Sequence, residues 1–177
     1  MVTLKRFVKE DFQVLSSWFE NEKSLGQWGG GGLGSTLSIE DMLDMLREEN
    51  THPKLRICRQ AFNEKGEAVG HIQIAFDHVN GVGRIARFVV APNMRGKGYG
   101  CTIMKAALNQ LFSDSSVQRA ELNVFTWNSQ AINLYLKLGF IAEGVRRSSV
   151  LVGGARWDTY FMGLLRADWS ATYGQGS

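Results

Sequence analysis

The chain has 177 residues, 44% hydrophobic and 21% charged, the balance of an ordinary soluble domain with one core and too little length for two. A formal net charge of only +3, without any long basic run, excludes a surface built to coat nucleic acid. No stretch approaches membrane-spanning length, the start MVTLKRFVKEDF lacks a signal-peptide core, and Cys58 and Cys101 lie far apart without CxxC spacing or clustered histidines, so a cytoplasmic protein with reduced thiols and no metal site is expected.

Residues 2–8 alternate weakly and read as a short strand. In DFQVLSSWFENE, Phe12, Leu15, Trp18 and Phe19 fall at helical spacing. The glycine tract GQWGGGGLGST reads as a mobile connection. A second helix follows in SIEDMLDMLREEN, where Ser38 stands three residues before Asp41 in a variant of the capping box. The period then changes: KLRICRQAF, EAVGHIQIAFDHV and RIARFVVAP are three strands joined through the turns NEKG and NGVG, and Pro92 ends the third. From Gly98 to Phe112, Met104, Ala107, Leu108 and Leu111 recur at helical spacing. RAELNVFTW is a strand and NSQAINLYLKLG a helix closed by Gly139. GVRRSSVLV and ARWDTYFMGLL flank Gly153-Gly154, which suits a type I′ hairpin turn. The order β-α-α-β-β-β-α-β-α-β-β predicts a single α/β domain over residues 1–168 around a mixed sheet, with 169–177 a polar C-terminal tail.

Two glycine stretches compete as an anion site. Gly29, Gly31 and Gly34 satisfy GxGxxG literally, but a helix precedes them and the next helix starts only near Ser38, which is the wrong setting for a dinucleotide fingerprint. The other, RGKGYG at 95–100, follows a strand and opens a helix. It fits neither the dinucleotide fingerprint nor the Walker loop, which disfavours a nucleotide-binding enzyme. A helix start with several unobstructed amides, flanked by Arg95 and Lys97, is suited to an anion. The alternative, a tight turn whose glycines serve only positive φ, would need fewer of them.

VAPNMRGKGYG resembles the acetyl-CoA loop, V-x-P-x-x-[RQ]-G-x-G-x-[GA], of the GNAT superfamily of N-acetyltransferases. NSQAINLYLKLGF is similar to that family's N-x-x-A-x-x-L-Y-x-x-x-G-F element, and the hairpin ending in DTYFMGLL resembles the branch of ribosomal-protein N-terminal and polyamine acetyltransferases. The resemblance implies the acyl-CoA N-acyltransferase fold, an α/β domain with a mixed, mostly antiparallel central sheet flanked by helices. It also implies that the backbone of Phe88, Val89 and Val90 runs beside the pantetheine arm of acetyl-CoA, one amide near Val90 acting as an oxyanion donor. The pyrophosphate would rest on the amides of Arg95, Gly96, Lys97, Gly98, Tyr99, Gly100 and Cys101. Asn128 would contact the cofactor while capping the following helix, and Tyr135, which by spacing alone is a core tyrosine, would protonate the departing thiolate.

Many relatives carry glutamate as base where this chain has Asn123; Glu121, His71, Asp77 and His78 are the remaining candidates, and the sequence does not choose among them. The acceptor side would be built by GQWGGGGLGSTLS, with Trp28 as a wall, and by VLVGGAR. The acidic helix face of Glu40, Asp44 and Glu48 reads first as solvated and second as a lure for a cationic amine. The expected activity is direct attack of a primary amine on acetyl-CoA in a ternary complex, without a metal. The acceptor is a protein N-terminus, with a polyamine or other small amine as the alternative, and a non-catalytic acyl-CoA-binding module as a reading of another class. No nucleic-acid or membrane partner is expected, and the chain is a monomer or homodimer.

Overall fold

The computed structural model describes residues 1–174. Among the described residues there are seven strands, β1 (Thr3–Arg6), β2 (Arg56–Phe62), β3 (Ala68–Asp77), β4 (Val82–Val90), β5 (Arg119–Phe125), β6 (Ile141–Val152) and β7 (Ala155–Leu165). They form one sheet in the order β1-β2-β3-β4-β5-β7-β6. Among these strands β4 and β5 run parallel, and the other pairs are antiparallel. The predicted mixed, mostly antiparallel architecture is therefore the one observed. The β6–β7 turn has Gly153 at φ 54° and Gly154 at φ 78°, left-handed at both central positions as a type I′ turn requires.

Each face of the sheet carries its own core. On one face α4 (Tyr99–Phe112) and α5 (Ser129–Lys137) cover Ile85, Leu122, Val124 and Met162 with Ile103, Met104, Leu108 and Leu111. Each such side chain contributes about 1.5–3 kcal/mol by leaving water. On the other face α1 (Phe12–Ser16), α2 (Glu22–Gly29) and α3 (Ile39–Glu49) gather Leu15, Leu25, Trp28, Met42 and Met45 against Cys58 and Val89. Ser38 caps α3 as expected: its Oγ accepts from the Asp41 amide at 3.1 Å, and the Asp41 carboxylate accepts from the Ser38 amide at 3.0 Å. The buried Glu49 at the end of α3 pairs with Arg59 at 2.7 Å, pinning that helix to β2.

Three expectations change. The first helix stops at Ser16, and the segment that follows is a separate helix, α2, capped by Asn21, whose Oδ1 accepts from the Ser24 amide at 2.9 Å. The glycine tract is thus helical through Gly29, with Leu25 and Trp28 buried. The polar tail is ordered for most of its length: α6 (Arg166–Tyr173) buries Trp169, whose Nε1–H donates to Asn109 at 3.2 Å. Its first residue, Arg166, donates to the carbonyls of Phe112 (2.7 Å) and Val117 (2.6 Å), satisfying the C-terminal end of α4. Residues 175–177 of the expected tail lie outside the described residues.

Candidate active site

The sheet is open in its middle. The parallel pairing of β4 with β5 runs from Val82–Arg119 to Ile85–Leu122 and ends there. A register shift against β3 leaves Ala86 without a partner, and a bulge of this kind bends its strand. Beyond it, residues 87–90 pair with β3 alone, and Asn123, Val124 and Phe125 pair with β7 alone. A cavity of about 810 Å³ occupies the gap and reaches both faces of the sheet. Phe88 and Val90 pack towards the α4–α5 core, whereas Val89 belongs to the core under α1–α3. The predicted trio thus lines the cavity as a strand edge without a partner on the β5 side.

On the α4–α5 face the loop RGKGYG turns the chain from β4 into α4. Gly96 (φ 74°) and Gly98 (φ 83°) are left-handed, and a Cβ at either would meet nothing within 4 Å, so conformation is what demands glycine there. Gly98 is the N-cap of α4 and has no side chain with which to bond the first-turn amides, which are left available. Arg95, Gly96, Gly98, Tyr99, Gly100 and Cys101 line the cavity; Lys97 does not, and its ammonium lies exposed near the Met94 sulfur. The Arg95 Nε–H donates to the Val90 carbonyl at 3.4 Å, tying loop to strand.

Asn128 opens α5, its Oδ1 accepting from the Ala131 amide at 3.2 Å, and it lines the cavity. Tyr135 lies one turn from the end of the same helix, on the cavity wall and otherwise buried. Gly139, at φ 95°, closes α5: the Phe140 amide bonds the Tyr135 carbonyl and the Gly139 amide bonds that of Leu136, both at 3.0 Å. In this Schellman arrangement the Phe140 ring also packs edge-on against Tyr135, centroids 5.9 Å apart. Burial raises the phenol pKa above its ordinary value, so Tyr135 carries its proton at neutral pH.

None of the four candidate bases beyond Asn123 lines the cavity. Glu121 sits in the paired part of β5, bonded by the Arg84 Nε–H at 2.8 Å and by Arg119. Asp77 accepts from Asn80 in the β3–β4 turn, and His78 contacts the Lys54 carbonyl at 2.7 Å. His71 is fully buried between Gln60 and Gln73, and desolvation lowers its pKa to about 3. Asn123 does line the cavity, and it is exposed. Among the described residues the lining contains no carboxylate and no imidazole.

The opposite face is closed by α2 and β6. A Cβ on Gly26 would lie 2.4 Å from a Val152 methyl, and one on Gly31 would lie 2.7 Å from the Leu151 carbonyl oxygen. These glycines let helix and hairpin touch. Trp28 forms part of the wall, with its ring 4.9 Å from Phe19 and 5.3 Å from the Arg87 guanidinium. On β6 the register breaks between Arg146 and Val150, Ser148 adopts φ 52°, and Arg146, Ser149 and Val150 line the cavity. A non-glycine residue in that region is strained, a feature that gathers at binding sites. The residues of Glu40, Asp44 and Glu48 stand away from the lining; Asp44 pairs with Arg47, and Glu48 with Arg56 at 2.6 Å.

Residues 17–140 match the acetyltransferase (GNAT) family. Among similar curated proteins, spermidine N(1)-acetyltransferase of Vibrio cholerae is 22% identical over 168 residues, 94% of each chain. An L-amino acid N-acetyltransferase of Escherichia coli is 28% identical over 130 residues, 72% of this chain and 80% of that one. A crystal structure of spermidine N-acetyltransferase from Vibrio cholerae with CoA and spermine superposes with a TM-score of 0.82 at 18% identity, covering 95% of this chain and 97% of that one. An open β4 edge, a helix start with free amides and a family match across both belong together: the chain is a member of the GNAT family of acetyltransferases and an acetyl-CoA-dependent N-acetyltransferase.

Proposed function

We propose that this enzyme acetylates an α-amine by direct attack within a ternary complex, and that it does so without a side-chain base of its own. The observation that carries this reading is a cavity in which Tyr135 keeps its proton while no carboxylate or imidazole among the described residues lines the wall.

The chain offers what a CoA thioester needs. First-turn amides of α4 from Gly98 to Cys101, together with Arg95, suit the pyrophosphate, and the unpaired β4 edge at Phe88–Val90 suits an extended pantetheine arm. Acetyl-CoA supplies an acyl group already activated as a thioester. The β4 backbone near Val90 stabilises negative charge developing on the thioester oxygen. The amine nitrogen forms its bond to the acetyl carbon, the carbon–sulfur bond breaks, and the sulfur takes the proton of Tyr135. The amine's surplus protons leave to water, and the phenolate regains one from there.

Magnitudes favour an α-amine. At pH 7, freeing a lysine-like amine (pKa ~10.4) costs roughly 4.6 kcal/mol, whereas an α-amine (~7.8) costs about 1. A site without a base carries the second cost far more easily than the first. The relatives that acetylate spermidine support a second reading, a polyamine acceptor. Against it, a polycation gains nothing from a wall whose charged side chains are Arg87, Arg95, Lys137 and Arg146. Thiol release measured with acetyl-CoA against peptides with free N-termini, amino acids and spermidine separates the two: turnover confined to spermidine sinks the α-amine reading.

A further inference from the structure

The acceptor face holds a cation that the chemistry above does not use. Arg87 on β4 is half-buried and lines the cavity. No carboxylate among the described residues pairs with it: Glu48 and Asp41 of α3 act on it only at range, Glu48 is bonded to Arg56, and burial together with the Arg56 charge holds the guanidinium pKa below its ordinary value. Its one polar contact among the described residues is from Nη1 to the Gln73 Oε1, at 3.5 Å, an oxygen it shares with Arg56, whose Nη1 donates at 3.2 Å. A guanidinium left unpaired in a half-buried wall is costly unless an anion arrives there.

The surroundings hold that guanidinium in place. The amide of Gln73 is oriented from behind: its Nε2 meets the neutral His71 at 2.9 Å, and the His71 Nδ1 meets the Gln60 Oε1 at 3.3 Å. The Trp28 indole lies 5.3 Å from the Arg87 guanidinium carbon as a cation–π partner. Trp28 is itself buried, and its Nε1–H has no hydrogen-bond partner among the described residues. Cation and unused donor lie side by side, with Arg146, Ser149 and Gln27 on the same wall.

We propose that Arg87 is the specificity residue of the acceptor site, and that the acceptor amine carries a carboxylate which Arg87 binds. Gln73, fixed by His71, is a positioning residue for it. This rests on the α-amine reading and narrows it to carboxylate-bearing amines, from either of two sources: a free α-amino acid, or a peptide whose first residue has an acidic side chain. The paired carboxylate turns the uncompensated charge of the wall into binding energy and orients the amine.

The test compares matched acceptors by thiol release at saturating acetyl-CoA: an α-amino acid against its carboxamide, a peptide beginning with Asp against one beginning with Asn, and spermidine. The carboxylate member of at least one pair is expected to lead in kcat/KM by about 10- to 100-fold, and the pair in which it leads identifies the source. In Arg87→Gln the preference falls to within about threefold, mainly through KM for the acceptor, while KM for acetyl-CoA stays unchanged. Arg87→Lys keeps part of the preference, which a merely structural role would not. Binding of the N-acetylated acid and its amide to the wild-type CoA complex gives the same comparison without turnover and without a variant that must fold. Equal use of both members of each pair, a lead for spermidine, or a preference that survives in Arg87→Gln overturns the proposal. Thiol release with neutral amines but no carboxylate preference overturns it alone. No thiol release with any amine overturns the α-amine reading, and this inference with it.

Discussion

Gly96 and Gly98 on one side of the cavity, and Gly26 and Gly31 on the other, are glycine for different physical reasons. The first pair take left-handed φ in open space and leave helix amides uncovered. The second pair sit where a methyl group would collide with Val152 or the Leu151 carbonyl. One side uses glycine to expose backbone and the other to bring a helix onto a hairpin. Glycine density alone therefore says neither flexibility nor phosphate; the conformation and the neighbour decide.

The sharpest way to test that division is to remove one group from each side and ask which substrate suffers. Tyr135→Phe acts on the chemistry itself: thiol release is expected to drop about 100-fold or more, while acetyl-CoA still raises the melting temperature. A fall of less than threefold would falsify the proton-donor role. Gly26→Ala should wedge α2 from β6 at about 1–3 kcal/mol of stability and raise KM for the amine while sparing that for acetyl-CoA. A change confined to acetyl-CoA would break the comparison.

Acid probes the platform beneath Arg87. His71 has its folded pKa depressed to about 3 by burial, so below pH 6.5 the unfolded chain takes up a proton that the folded one refuses. Stability present above pH 6.5 is lost as pH falls towards 3, by about 2 kcal/mol at pH 5. Urea titrations of wild type and His71→Gln at pH 7 and pH 5 check this, and the variant should show the flatter dependence. Gly98→Ala is the mildest change, costing about 1 kcal/mol for the left-handed conformation and weakening acetyl-CoA roughly in proportion. Amine KM in that variant should not move.

The β4–α4–α5 side of the cavity was legible as structure because its signals are local. RGKGYG lies between a strand and a helix that each announce themselves by period, and Gly139 marks the end that holds Tyr135. The α2–β6 side was not, because its signals are tertiary. In α2, Glu22–Gly29 has only Leu25 and Trp28 as apolar anchors and two glycines against it in propensity, so packing on β6 and the Asn21 cap make the helix. Likewise α6 offers little beyond Trp169 and Tyr173, and it is the Arg166 contacts to α4 that fix it. Arg87 did leave a trace, a charge inside the run RIARFVV, but its meaning depends on α2 standing across from it.

The end of pairing at Ile85–Leu122 also divides the sheet into two leaves, β1–β4 and β5–β7–β6, which share only the four residue pairs that begin at Val82–Arg119. A strand edge inside a sheet is ordinarily a liability, open to water and to wrong partners. Here an extended substrate arm lying along Phe88–Val90 would complete the ladder in place of the missing strand residues. The protein would then be a better-finished sheet in its working state than alone, and the slowest-exchanging amides of β4 would belong to the complex and not to the free chain.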